Sequence, residues 1–292
     1  MNKSLSDSIS ASRQLLQNPY AHLSEGGSFD ALPVTSHAQA HAMHGLPQDL
    51  IQKYSGQEAN TPIKPRYSAI EIELRARSLQ ASLWKDRDRI WPGATPTNPI
   101  NVLDPFTALR LLGYDCELDE TLGQFHSNGK QVEVAGVLDK SARQVRVSRQ
   151  FTNAVRSFTA AHELGHALLH DTGTALHRDR PLDGSTPSRM GIELEADKFA
   201  SFFLMPAKQV QAAFERFFLT DQFTLNETTA FALGQGNHET LSRKCKTLRQ
   251  LSRMLASAEH YNGVHFISLA NQFLVSDEAM AIRLEELGLV AL

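Results

Sequence analysis

Cysteine is nearly absent from this sequence, which has only Cys116 and Cys245 among its 292 residues. Two cysteines are too few for a disulfide framework, so neither argues for an oxidising compartment. Residues 1–20 lack the charged start and apolar run of a secretory signal peptide. No stretch approaches the roughly 18 consecutive apolar residues that a membrane-spanning helix needs. These absences predict a cytoplasmic protein that has no membrane partner.

Neither sign of charge is in large excess. The chain has 29 Lys and Arg residues against 32 Asp and Glu residues, which gives a net charge of -3. This balance provides no general attraction to nucleic acids or to anionic membranes. Hydrophobic residues make up 41% and charged residues 21% of the chain, as in ordinary globular proteins. The length suits one large domain with an appendage or two modest domains.

Composition and hydrophobic pattern divide the chain into three segments. Residues 1–66 are rich in Ser, Gln, Ala and His and poor in large aliphatic residues, which is typical of a polar, flexible extension. We assign residues 67–238 to a core domain, because hydrophobic periodicity sharpens there. Residues 239–292 are assigned to a helical C-terminal subdomain.

The core domain mixes helical and strand-like patterns, so an α+β fold is expected. Apolar periodicity and end signals predict five helices, over residues 69–90, 105–112, 158–170, 191–203 and 207–217. Alternating stretches at residues 132–138 and 144–148, joined by a short turn, predict a β-hairpin. The second of these strands is expected to be a sheet edge that pairs with an extended peptide substrate.

The segment FTAAHELGHALLH contains an HExxH motif. His162 and His166 lie about 40° apart around a helix and about 6 Å apart along it, so both imidazoles can bind one ion. Neutral imidazole suits zinc, and zinc lowers the pKa of a bound water towards about 7. Glu163 is placed to take a proton from that water. The motif also arises by chance in ordinary helices, but the surrounding Ala and Leu residues favour a buried active-site helix.

A third metal ligand is needed from elsewhere in the chain. The extended motif HExxHxxGxxH would require Gly and His where the sequence has Leu169 and Thr172. His170 lies about 12 Å along the helix from His162, which is too far to share one ion. The third ligand is therefore expected outside this helix.

The segment GIELEADKFA provides the acidic candidates. Glu193 and Asp197 are four residues apart and share a helix face. Glu193 can bind the metal while Asp197 accepts the outer N–H of a ligand histidine, which we expect to be His162. Glu195 points about 200° away from Glu193, so only one of them can face the metal. We choose Glu193, with Glu195 as the alternative; solvated acids on a surface helix would show the same pattern.

Four motifs in order resemble the ImmA/IrrE family of zinc metallopeptidases. They are GVLDKSARQVRVS, FTAAHELGHALLH, IELEADKFASFFLMP and AMAIRLEELGLV, and the resemblance covers roughly residues 67–292. It implies a gluzincin-like fold, with a small sheet packed on the metal helix and an α-helical C-terminal part. It also implies that His162, His166 and Glu193 bind Zn²⁺ and that Glu163 is the catalytic base.

The resemblance also implies a substrate. Family members of this type cleave a DNA-binding transcriptional repressor and thereby switch on phage, mobile-element or stress genes. This chain departs from some relatives in lacking a recognisable N-terminal helix-turn-helix domain, and its polar first 66 residues are unfamiliar. Two alternatives to a repressor-cleaving peptidase are a non-proteolytic metal-binding antirepressor or sensor and a metallopeptidase toxin or effector. Manganese or iron would also suit a His₂Glu site.

Peptide hydrolysis also needs a donor for the developing oxyanion. The sequence offers four candidates without selecting one: His177, Arg178, Arg180 and Tyr261. For any one of them, a place in a salt-bridged loop is favoured over a role as the donor.

The C-terminal subdomain invites a comparison with DNA-binding proteins. Residues 239–261 predict one long basic helix, and residues 264–289 predict two short helices with helix-turn-helix-like spacing. The second short helix has Arg283 as its only base and four acids, which is the wrong balance for contact with phosphates. Direct nucleic-acid binding is therefore not expected, and a structural or substrate-docking role is favoured.

Overall fold

The computed structural model describes residues 45–59, 66–127, 130–170, 177–178, 187–234 and 238–292. These residues form a mixed α+β structure in which helices surround several small sheets, as the sequence predicts. The helices are α1 (Gln48–Ala59), α2 (Ala69–Ile90), α3 (Pro105–Leu111), α4 (Asn153–Leu169), α5 (Pro187–Leu204), α6 (Ala207–Phe218), α7 (Glu227–Ala232), α8 (His238–Lys244), α9 (Leu248–Ser257), α10 (Leu269–Gln272) and α11 (Asp277–Glu286). A 3₁₀ turn covers Pro99–Val102.

The strands are short. They are β1 (Asp115–Asp119), β2 (Gln124–Ser127), β3 (Lys130–Glu133), β4 (Gly136–Asp139), β5 (Gln144–Ser148), β6 (His177–Arg178), β7 (Phe223–Thr224), β8 (His260–Tyr261), β9 (Val264–His265) and β10 (Val290–Ala291). The main sheet has the order β1-β5-β4-β6, in which β1 runs parallel to β5 and the other pairs are antiparallel. Three two-stranded pairs, β2-β3, β7-β10 and β8-β9, complete the described strands.

Two details of the predicted hairpin are wrong. The stretch 132–138 is not one strand, because the chain changes partners near Val134 and Ala135: the Val134 N–H donates to Gly123 O, and Ala135 O accepts from the Ser148 N–H. In addition, β5 is not a sheet edge, since it is paired with β1 on one side and β4 on the other. Its backbone groups are used within the sheet and cannot pair with a substrate strand.

The main sheet and three helices position α4. This helix packs against β4 and β5 on one side and against α5 and α3 elsewhere. In turn, α2 packs against α5. Thr152 begins α4 by accepting a hydrogen bond from the Val155 N–H, as an N-cap residue does. The helix is therefore covered on several sides, which explains its high content of Ala and Leu.

Part of the segment interpreted as a polar extension is helical. Helix α1 buries Leu50 and Tyr54 in the main core. The Tyr54 hydroxyl donates to the Asp86 carboxylate of α2 at 2.9 Å, and Lys53 forms an ion pair with the same carboxylate at 2.5 Å. Burial raises the pKa of Asp86, but the hydrogen bonds from Lys53 and Tyr54 outweigh it and lower the pKa. These contacts join α1 to the core.

The prediction of one long helix over residues 239–261 is wrong. The chain forms α8 and α9, which are separated at Cys245–Thr247, and then the strand β8. Thr247 caps α9 by accepting from the Gln250 N–H in a capping box. The buried thiol side chain of Cys245 lies at the break. The two short helices predicted after residue 264 correspond to α10 and α11.

The basic residues of α9 face acids of α11. Arg249 contacts Glu285 at 2.7 Å and Glu278 at 2.5 Å, and Arg253 also pairs with Glu278. Arg283 is 4% exposed and donates to the backbone oxygen of Met205. The charges of these three arginines therefore serve contacts within the fold.

Among the described residues, no helix is both long and apolar enough to cross a membrane.

Candidate metal centre

The motif residues of α4 are buried. His162 is 1% exposed, and Glu163 and His166 are completely buried. Their neighbours Ala161 and Leu164 belong to the main hydrophobic core. Buried imidazoles and carboxylates need polar partners, since desolvation without compensation is costly. The partners of these three buried side chains therefore indicate which kind of group this part of the core can hold.

Three of the residues proposed as ligands come together. His162 Nε2 lies 2.9 Å from His166 Nε2, and Glu193 Oε2 lies 3.3 Å from the former and 3.5 Å from the latter. Two consecutive turns of α4 supply the imidazoles, and α5 supplies the carboxylate. Each residue contributes one atom to a group whose members all lie within 4.8 Å of one another.

The outer nitrogen of His162 is bonded to Asp197. Its Nδ1 lies 2.8 Å from Asp197 Oδ1. Burial raises the pKa of Asp197, and the hydrogen bond with His162 acts in the opposite direction by favouring the carboxylate. A carboxylate can only accept, so the proton of neutral His162 is placed on Nδ1 and the lone pair on Nε2. That lone pair points into the group formed with His166 and Glu193.

The donor set of this group fits a divalent cation. A nitrogen lone pair and a carboxylate oxygen that converge at about 3 Å repel each other unless a positive charge lies between them. Two imidazole nitrogens and one carboxylate oxygen form a set that zinc prefers, and it leaves a position for water or substrate. Manganese and iron accept the same ligand types. The residues present are therefore suited to a His₂Glu metal site.

Gly165 allows the two ligand-bearing helices to approach closely. A Cβ atom at this position would lie 3.1 Å from both Cα and O of Ala196 and 3.2 Å from Cβ of Phe199. Two of these neighbours are backbone atoms of α5, which cannot rotate away as a flexible side chain can. Gly165 thus sets the distance between α4 and α5, and with it the distance from Glu193 to the histidines.

We expect Gly165→Val to separate α4 from α5. Its excess volume should lower the free energy of unfolding by about 1–3 kcal/mol, as overpacking does, and should weaken zinc binding. Gly56→Val is the matched control, because an added Cβ at this helical glycine meets nothing within 4 Å. Thermal denaturation and zinc titration of both variants would check this. Equal stability and equal affinity in the two variants would contradict a spacing role for Gly165.

Glu163 projects towards β4. A Cβ atom built on Gly136 would lie 3.0 Å from Glu163 Oε1 and 2.5 Å from Thr159 Cγ2. Only a glycine fits between the strand and these two side chains. The carboxylate of Glu163 is therefore held against the strand that flanks the metal helix, one residue away from His162 in the chain.

His170 and Glu195 form a second buried polar group beside the first. His166 Nδ1 lies 3.0 Å from His170 Nδ1, and His170 Nε2 lies 3.1 Å from Glu195 Oε2. The other oxygen of Glu195 accepts the backbone N–H of Tyr67 at 3.2 Å. Burial lowers the pKa of His170, although Glu195 acts in the opposite direction, so the neutral imidazole is expected near neutral pH.

These contacts bear on the choice between the two glutamates. Glu193 faces His162 and His166, whereas Glu195 faces His170 and the backbone of Tyr67. The geometry favours Glu193 as the third ligand. The sequence analysis considered Glu195 only as an alternative metal ligand and rejected His170 as a ligand, so it did not predict their contact with each other, although the four-residue spacing from His166 to His170 was a visible signal.

Basic side chains lie at the C-terminal end of α4. Lys140 Nζ donates to the carbonyl oxygens of Ala167, at 3.2 Å, and of His170, and Arg75 donates to that of Leu168 at 3.1 Å. Cations stabilise this end of a helix, because its last carbonyl groups have no partners within the helix. Lys140, in the turn after β4, and Arg75, in α2, thus fix the end of the metal helix.

The described candidates for an oxyanion donor lie in two different parts of the fold. The ring of Tyr261 packs against Phe218 and Phe223, with centroids 5.5 and 6.2 Å away, which is the environment of a core residue. His177 and Arg178 form β6, whose backbone pairs with Val137 and Leu138 of β4. Arg180 lies outside the described residues.

Comparison with known proteins gave one family match. Residues 120–229 match the model of the Peptidase_M78 family, described as the IrrE N-terminal-like domain. The matched range begins just before β2 and ends within α7, so it includes every residue of the metal centre. Comparison with curated proteins gave no match. Residues 120–229 are therefore similar to the IrrE N-terminal-like domain, and this similarity supports an ImmA/IrrE-type family for this part of the chain.

Proposed function

We propose that this chain is a zinc-dependent endopeptidase that hydrolyses a specific protein. One observation carries the proposal: His162, His166 and Glu193 direct one ligand atom each to a common point, inside a domain of a metallopeptidase family. His162, His166 and Glu193 are the proposed metal ligands. Asp197 is proposed to orient His162, and Glu163 is the proposed catalytic base.

The roles of the protein groups follow from their positions. Zinc bound to this group would supply Lewis acidity and would lower the pKa of a bound water. Asp197 holds the Nδ1 proton of His162, so its Nε2 is kept as a ligand. Glu163, which follows His162 on the buried helix, accepts the proton of the attacking water and passes it to the amine that leaves. Its position against Gly136 restricts the carboxylate to one side of α4.

The proposed fold of the site is gluzincin-like. Its support is the order of the parts: a small sheet lies against the helix with the two histidines, and a second helix provides the glutamate. The core domain is proposed to span residues 67–238, followed by the helical subdomain of residues 239–292. Because Arg249 and Arg253 are paired with acids of α11, we propose a structural or docking role for this subdomain and no direct role in nucleic-acid binding.

The proposed substrate is a DNA-binding transcriptional repressor in the cytoplasm. This step rests on the resemblance to ImmA/IrrE-type peptidases.

Metal removal tests the proposed activity. We expect the purified protein to contain about one zinc per chain, since the part of the chain that the structure describes contains one three-residue donor set. Cell lysate would be incubated with zinc-loaded, metal-free and zinc-restored protein, and new peptide N-termini would be identified by mass spectrometry. The expected result is cleavage of one or a few proteins, a repressor among them, that is lost on metal removal and regained with zinc.

Two results would contradict this proposal. Absence of any tightly bound metal would argue against the metal site itself. Stoichiometric zinc without zinc-dependent cleavage would argue for the non-proteolytic sensor or antirepressor instead. If cleavage occurs but the fragments come from other protein classes, the peptidase would stand and the repressor assignment would fall.

A further inference from the structure

We propose that His170 and Glu195 are positioning residues that fix the protonation pattern of His166, so that its Nε2 is available to zinc. The proposal rests on the zinc site proposed above. It concerns two residues that are not among the three proposed metal ligands. Both are buried, with exposures of 4% and 6%. With His166 they form a row of hydrogen-bonded polar groups that ends at the backbone N–H of Tyr67, close to the start of α2.

The direction of each hydrogen bond follows from the outer end inwards. The backbone N–H of Tyr67 can only donate, and it donates to Glu195 Oε1 at 3.2 Å. The carboxylate of Glu195 can only accept, so its other oxygen accepts from His170 Nε2 at 3.1 Å. The single proton of neutral His170 is thereby placed on Nε2, and its Nδ1 is an acceptor.

The same logic then determines the protonation of His166. Its Nδ1 lies 3.0 Å from the acceptor nitrogen of His170 and must carry the proton. A neutral imidazole has one N–H, so the lone pair of His166 is on Nε2, the atom that lies 2.9 Å from His162 Nε2 and 3.5 Å from Glu193 Oε2. The carboxylate of Glu195, acting through His170, thus determines which nitrogen of His166 is offered to zinc.

The two proposed ligand histidines have different outer hydrogen-bond partners. Asp197, on the same helix as Glu193, bonds His162 directly. His166 is bonded to another imidazole, which is in turn bonded to a carboxylate. The hydrogen bonds that begin at His166 connect α4, α5 and Tyr67, which lies two residues before α2, so they also join the site to α2. Arg75 of α2 lies over the ring of Tyr67, 4.5 Å from its centroid, and holds this residue in place.

Glu195→Gln is the decisive variant, because it keeps the shape of the side chain and reverses the hydrogen bonds. Tyr67 still requires an acceptor, so the amide oxygen faces its N–H and the NH₂ group faces His170. His170 Nε2 must then accept, its proton moves to Nδ1, and His166 Nδ1 must accept in turn. The proton of His166 is thereby placed on Nε2, where it blocks the metal ligand.

The test has two readouts. The first is the protonation of His166 in metal-free, ¹⁵N-histidine-labelled protein, observed by long-range ¹H–¹⁵N NMR correlation. We expect Nδ1–H in the wild type and Nε2–H in Glu195→Gln. The second is the zinc dissociation constant measured by chelator competition, which we expect to rise about 10–100-fold in the variant, the usual cost of losing an outer partner of a ligand.

Glu278→Gln is the matched control, because Glu278 is also buried and hydrogen-bonded but contacts Arg249 and Arg253 in the C-terminal subdomain. It should leave both readouts unchanged. His170→Leu removes the acceptor for His166 and serves as a second variant if Glu195→Gln does not fold. It should populate both protonation forms of His166 and weaken zinc binding.

Unchanged His166 protonation in Glu195→Gln, or wild-type zinc affinity in both variants, would overturn the positioning role. The proposed function can fail separately. A wild-type protein that binds no zinc would contradict the peptidase, whereas the NMR measurement on metal-free protein would still decide how His170 and Glu195 act on His166.

Discussion

Glu163→Gln is expected to retain zinc and to lose peptide hydrolysis by a factor of about 10²–10⁴, the contribution typical of a positioned general acid–base group. The amide has almost the shape of the carboxylate, so it should fit in the same space beside Gly136. It cannot take a proton from the attacking water, because an amide oxygen is a very weak base. The change therefore separates metal binding from catalysis.

The measurement is the initial rate of substrate cleavage at equal zinc content, determined by mass spectrometry of the metal and of the fragments. Glu215→Gln is a matched control, since this exposed residue lies on α6 and outside the metal centre. It should cleave at the wild-type rate. Wild-type cleavage by a zinc-loaded Glu163→Gln protein would exclude Glu163 as the base and would require another proton acceptor at the site.

The elements that determine the metal centre could be predicted from local sequence. The helices at α4 and α5 follow from their apolar periodicity, and a four-residue spacing places His162 and His166 on one face in any helix. The same rule pairs Glu193 with Asp197. These statements hold because they depend on geometry within one helix, which the sequence determines directly.

Contacts between helices could not be predicted in the same way. Whether Glu193 or Glu195 faces the histidines depends on how α5 is rotated relative to α4, and that rotation is set by packing around Gly165 and Ala196. The bond from His170 to Glu195 depends on the same rotation. Its outer partner, the N–H of Tyr67, lies 128 residues from Glu195 in the chain, so no local pattern indicates it.

The break between α8 and α9 does have a local signal in the sequence. The break between α8 and α9 coincides with a capping box formed by Thr247 and Gln250, which marks the start of a new helix. The basic residues on both sides of the break suggested one long basic helix. In the structure Arg249 and Arg253 lie against acids of α11. A run of basic residues in the sequence therefore indicates where positive charge lies, but it does not indicate which acidic side chains pair with that charge.

Glu193→Ala is expected to remove most of the zinc from the protein. The site would keep only the two imidazoles of α4, and the loss in affinity should exceed the roughly 10–100-fold cost of changing an outer partner of a ligand. Zinc per chain after extensive dialysis, together with competition against a chelator, would measure the effect. Circular dichroism would show whether the variant stays folded, as expected for the loss of a side chain that lies beside the buried core.

A graded series makes this result specific. Glu193→Ala should weaken zinc binding most, Glu195→Gln should weaken it less, and Glu215→Ala should not change it. The order follows from position: Glu193 lies 3.3 Å from His162 Nε2, whereas Glu195 reaches the site only through His170. If Glu195→Gln abolished binding while Glu193→Ala retained it, the ligand would be Glu195, and α5 would have to be rotated in the zinc-bound protein. Full zinc retention by both variants would place the third ligand outside α5.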